Sequence, residues 1–140
     1  MKHAVLLSAL LLSVPVWAAE VKTNFFDHSS RSLIDEATAK KVMKESIPAK
    51  AWRIYPASKY VFVSQVEGGI SGTGMCVVAA RVMVLPLTAT VRAPLFRPLP
   101  KMTATAFDAM PGANADQCKT LAREMLKQAT GAVVSSIVKT

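Results

Sequence analysis

Histidine is scarce in this chain: His3 and His28 are the only two among 140 residues. A relay of serine, histidine and acid needs an imidazole held between nucleophile and carboxylate in space. The run Asp27-His28-Ser29 has those letters, but neighbours in sequence do not adopt that arrangement, and polar residues leading into a helix start account for it. A zinc site needs three or four ligands drawn from cysteine, histidine and carboxylate. The only cysteines are Cys76 and Cys118, so no metal site is expected. Acidic residues are also few, nine against 17 lysines and arginines. Glycosidase chemistry asks two carboxylates to converge, and most of these nine fall where helix starts or turns want them.

Phosphate-cradling motifs are missing too. Four of the six glycines crowd into Gly68-Gly69-Ile70-Ser71-Gly72-Thr73-Gly74. That run has neither the Gly-Lys-Ser/Thr ending of a P-loop nor the Gly-x-Gly-x-x-Gly of a dinucleotide fold. It lies between two expected strands, with no helix start aimed at a phosphate, and reads as a hairpin loop with at most a contact role. Catalytic residues and cofactors are therefore expected to be none. Beyond residue 18 no long apolar run occurs, because residues 75–87 are interrupted by Arg81 and Pro86.

The first eighteen residues have the layout of a cleavable secretory signal peptide. Lys2 gives a short positive start, residues 4–16 are almost wholly apolar around Leu6, Leu7, Leu10, Leu11 and Leu12, and Pro15 breaks the run. Val16-Trp17-Ala18 then sets Ala at −1 and Val at −3 of a cleavage site. The run is shorter than the ~20 apolar residues of a membrane anchor. No cysteine stands at the cleavage site, so a lipid-modified start is not expected. Cleavage after Ala18 takes 18 residues from 140 and leaves 122, residues 19–140, as a single exported domain large enough to bury a core. Loss of Lys2 leaves 16 basic residues against nine acidic, a net charge of +7. Such a surplus favours anionic partners. Export argues against nucleic acid, and the cations are scattered, with only Lys40, Lys41 and Lys44 close together.

An even cysteine count in an exported chain predicts a disulfide between Cys76 and Cys118, since that compartment is oxidising. A helix is expected from Ser32, where Ser32 and Asp35 make a capping-box pattern. Ala39, Val42, Met43 and Ile47 form its inner stripe, and Pro48 stops it. Trp52, Ile54 and Tyr60-Val61-Phe62-Val63 read as strand, with turn chemistry at Pro56-Ala57-Ser58. Residues 75–85 are apolar on both faces, which predicts a central strand covered on both sides. Residues 87–92 and 102–107 alternate as further strands. Asn114 with Gln117 caps a closing helix whose apolar residues, Cys118, Leu121, Ala122, Met125, Ala129, Ala132, Val133 and Ile137, recur at helical spacing. Gly131 weakens or bends it. The expected class is α+β: an N-terminal helix, a mostly antiparallel sheet of three to five strands, and a long C-terminal helix stapled to the sheet by the disulfide.

One segment suits binding. Residues 92–101 place Leu95, Phe96 and Leu99 among Arg92, Arg97 and Lys101, and three prolines exclude helix or central strand there. Apolar groups held stiffly beside cations are what interface anchors look like. The resulting expectation is a non-enzymatic binding protein of the periplasm or cell exterior that engages an acidic protein partner. Its role would be that of an inhibitor or toxin-neutralising protein, or of an accessory to an envelope complex. Two other readings compete. One is a carrier of small apolar ligands lined by Met75, Met83, Met102, Met110 and Met125. The other is an enzyme pairing His28 with a distant carboxylate.

Overall fold

The computed structural model describes residues 19–87 and 99–139. Along the chain come β1 (Phe25–Asp27), α1 (Glu36–Ser46), α2 (Ala49–Ile54), β2 (Tyr60–Ile70), β3 (Met75–Pro86), β4 (Met102–Pro111) and α3 (Ala115–Val138). The strands form one sheet in the order β1-β2-β3-β4, with β1 parallel to β2 and the other pairs antiparallel. The α+β class, the four-strand sheet and the long closing helix agree with the sequence.

Asn114 and Gln117 cap α3 as their spacing predicts. The Gln117 backbone N–H donates to Asn114 Oδ1 at 2.8 Å, and the Asn114 N–H donates to Gln117 Oε1 at 2.9 Å. The apolar stripe of α3 lies against one face of the sheet, where Cys76, Val78, Ala80, Val82 and Val84 of β3 are all fully buried. Cys118 in the first turn of α3 bonds Cys76 at the start of β3, with 5.7 Å between their Cα atoms. Thr130 is buried on the same stripe and donates its hydroxyl to the Leu126 carbonyl at 2.7 Å.

Four expectations change. The first helix begins at Glu36 rather than Ser32, with Asp35 as its cap: Thr38 donates its backbone N–H and its hydroxyl to the Asp35 carboxylate at 2.8 and 2.7 Å. Leu33 and Ile34, both 4% exposed, plug the core ahead of it.

Trp52 and Ile54 are in helix α2, not in strand. Ala49-Lys50-Ala51 after Pro48 are good helix formers. Trp52 packs its ring 5.4 Å from Phe25 and 4.7 Å from Phe62, so tertiary packing overrides its β preference.

Over residues 75–81 β3 is covered on one side only, while Met83 and Leu85 farther along the other side are half-buried. On its other face Met75 is 38% and Val77 45% exposed, because all three helices pack on the opposite side.

The glycine run makes the expected hairpin, but its loop is shorter than the run. Gly68 and Gly69 belong to β2, and the turn is closed by a Gly74 N–H to Ser71 carbonyl bond of 2.9 Å with Gly74 at φ 79°. A Cβ on Gly68 would lie 1.9 Å from the Val77 carbonyl oxygen, so only glycine fits there. Of the expected strand at residues 87–92, all but Leu87 lie outside the described residues.

Candidate functional site

Asp27, His28 and Ser29 form no catalytic relay. The Asp27 carboxylate accepts the hydroxyls of Ser29 and the buried Ser64, each at 2.6 Å. The Ser29 hydroxyl accepts the Val66 backbone N–H at 3.0 Å, and the His28 N–H donates to the Ser64 carbonyl at 2.9 Å. These bonds stitch the end of β1 onto β2. The His28 ring is exposed and meets the edge of Phe26, with centroids 4.6 Å apart.

The methionines proposed to line a ligand cavity are dispersed. Met125 is in the core, Met75 is on the open sheet face, and Met83, Met102 and Met110 are half-buried. A hollow of about 140 Å³ on the open face is lined by Gln65, Glu67, Ala79, Ala80, Arg81 and Thr105. A second, of about 440 Å³, is lined by Arg31, Asp35, Glu36, Ala37 and Lys40. No methionine lines either. The second hollow holds the Arg31–Glu36 pair at 3.5 Å and the Lys40–Glu36 pair at 2.6 Å. The Lys40 ammonium, and then Arg31, hold the Glu36 carboxyl below its ordinary value, while the Thr38 hydroxyl and N–H do the same for Asp35.

The three clustered lysines of α1 are each matched by an acid: Lys40 with Glu36, Lys41 with Glu45 at 3.9 Å and Lys44 with Glu20 at 3.6 Å. Of the exposed cations without a carboxylate within 4.0 Å among the described residues, Lys22, Arg81, Lys119, Arg123 and Lys127 are spread over the domain. The others gather at the end of the sheet where β2 begins, β3 finishes and β4 begins. Lys59 precedes β2 and its carbonyl accepts the Leu87 N–H at 2.7 Å, while the Lys101 N–H donates to the Val84 carbonyl at 2.8 Å. Because α3 runs back along β4, its C-cap Lys139 reaches this same end. There Lys50 of α2 donates to the Val138 carbonyl at 3.5 Å, and Arg53 follows Lys50 by one turn. Lys50, Arg53, Lys59, Lys101 and Lys139 are all exposed. None lies within 4.0 Å of a carboxylate among the described residues.

Apolar side chains stand between these cations. Ile54 is 44%, Leu87 43% and Leu99 84% exposed. Of the residues proposed from sequence, Leu99 and Lys101 belong to this basic end, whereas Arg92, Leu95, Phe96 and Arg97 lie outside the described residues. Sequence reasoning missed Lys50, Arg53, Lys59 and Lys139, which are far apart in the chain. The one available signal was the i,i+4 spacing of Glu36 with Lys40 and Lys41 with Glu45, which discounts the α1 lysines.

The chain is thus a disulfide-stapled α+β domain with one helix-covered sheet face, one open face and one basic end. No protein-family model matches the sequence, and no curated protein does. Among solved structures the chain is similar to a PelC dodecamer from Paraburkholderia phytofirmans, at 9% identity and a TM-score of 0.50, over 81% of this chain and 88% of that one. It is also similar to protein XCC0632 of Xanthomonas campestris, described under DUF330, at 10% identity and a TM-score of 0.37, over 89% of each chain. The PelC likeness is one of fold.

Proposed function

We propose that this chain is an exported, non-enzymatic binding protein that engages an acidic protein partner through the basic end of its sheet. It would act in the periplasm or outside the cell, as an accessory of an envelope complex or as an inhibitor. The observation that carries the reading is the set of five exposed cations without carboxylate partners, interleaved with Ile54, Leu87 and Leu99. Cations on a rim steer an acidic partner and set its orientation, while exposed apolar groups among them supply the contact that holds it. The signal-peptide layout and the Cys76–Cys118 bridge support export.

Affinity capture with oxidised residues 19–140 as bait, in envelope and secreted fractions, tests this. One stoichiometric acidic protein should be retained, less so as salt is raised. Lys59→Glu with Lys101→Glu should weaken that retention roughly tenfold or more, as loss of steering and opposed charge require, without changing the melting temperature. Retention insensitive to both salt and charge reversal overturns the reading. A co-purifying small apolar molecule in place of a protein would transfer it to the carrier.

A further inference from the structure

The open face of the sheet is the other unexplained surface. Side chains pointing away from the helices are, by register, Val61, Val63, Gln65 and Glu67 on β2, Met75, Val77, Ala79, Arg81, Met83 and Leu85 on β3, and Thr103, Thr105, Phe107 and Ala109 on β4. The exposed apolar members gather near the hairpin, where Met75, Val77, Phe107 and Ala109 stand, with Phe107 78% exposed. At the other end Val61, Met83 and Leu85 are half-buried and Val63 is buried. Across the middle runs a polar row in which Gln65, Arg81 and Thr105 sit opposite one another.

The charge on this face distinguishes it from the rest of the molecule. It carries one cation, Arg81, and one carboxylate, Glu67, and is therefore neutral on a mature chain of net +7. The two do not pair with each other within 4.0 Å. Glu67 instead accepts Gln65 Nε2 at 2.6 Å. They sit one register step apart on neighbouring strands, Arg81 opposite Gln65 and Glu67 opposite Ala79. An acidic partner is drawn to the basic end, not here. Two copies of this chain, which repel elsewhere, meet at this face without net repulsion.

We propose that the open face of the β2-β3-β4 sheet packs against the same face of a second copy, with Arg81 of each copy opposite Glu67 of the other. Any two-fold that makes one of these pairs makes both, since an isologous interface repeats every contact. The exposed apolar residues at the hairpin end then supply the buried contact of a two-sheet sandwich. Strands of ten to twelve residues at about 3.4 Å per residue and 4.8 Å apart give a flat footprint of roughly 500 Å². That is less than the ~800 Å² per partner of a standard interface, as suits a dimer that dissociates on dilution.

Sedimentation velocity of the oxidised mature chain, from micromolar to millimolar, should show a dimer that dissociates on dilution. Arg81→Glu and Glu67→Arg should each be monomeric when alone, because each leaves the face with charge of one sign only, and melting curves establish that both are folded. Mixed together they should associate again. One variant then offers two carboxylates at positions 67 and 81 and the other offers two cations, so both cross-interface pairs join opposite charges. A monomer at every concentration overturns the proposal. So does an assembly that neither single substitution weakens, or a mixture that stays monomeric.

Discussion

Asp27 shows how much one side chain does at the start of this fold. The three residues of β1 make too few backbone bonds to hold the strand in place, and its carboxylate adds bonds to the hydroxyls of Ser29 and Ser64. Ser64 is fully buried, so losing its acceptor leaves a hydroxyl unsatisfied in the interior. Asp27→Ala should destabilise the domain by about 2 kcal/mol. Urea unfolding should show this as a lower midpoint with an unchanged slope, and Asp27→Asn, which keeps an acceptor, should lose less. An unchanged midpoint in Asp27→Ala would show that β1 is held by its backbone alone. At this scale the sequence misled where a residue's preference and its neighbours disagreed. Trp52 prefers strand, yet a helical turn is what brings its ring between Phe25 and Phe62.

Among the elements, α3 was the most legible because local chemistry and long-range packing agree along it. The Asn114–Gln117 box marks its start, and the stripe from Cys118 to Ile137 repeats at 3.6 residues. β1 was illegible for the opposite reason: three residues pair in parallel with a strand more than thirty positions away, and no periodicity records such a pairing. β3 was half legible. Apolar residues on both faces did predict a central strand, but not that the helices leave the face bearing Met75 and Val77 open. Gly131 is the weak point of α3. Open space surrounds a Cβ built there, so nothing in the packing calls for glycine. Gly131→Ala should raise stability by about 0.5–1 kcal/mol, read as a rise of a few degrees in melting temperature. A fall would mean that the helix needs to bend at this position.

For the whole molecule, composition set the class and the disulfide, while the distribution of charge needed three dimensions. A surplus of +8 was plain from the sequence, but the one visible lysine cluster, on α1, proves to be neutralised, and the cations of the basic end come from four separate segments. The Cys76–Cys118 bridge closes a loop of 42 residues, which the chain-entropy account values at about 4 kcal/mol. Cys76→Ser with Cys118→Ser, or reduction of the natural protein, should therefore lower the urea midpoint strongly while circular dichroism below that midpoint keeps its α+β form. A midpoint unchanged by reduction would mean that helix and sheet are held by packing alone.

The bridge also governs how the domain responds to force. Tension applied between the two ends of the chain passes from Cys76 to Cys118 directly through the sulfur atoms, so everything between them is bypassed. That shielded segment includes nearly all of β3 and the whole of β4. At about 3.5 Å per extended residue, roughly 150 Å of contour length stays hidden from a pulling device. It becomes available only when a thiol attacks the bridge. Stretched from its ends, the oxidised protein is a short tether, and the reduced protein is a long one.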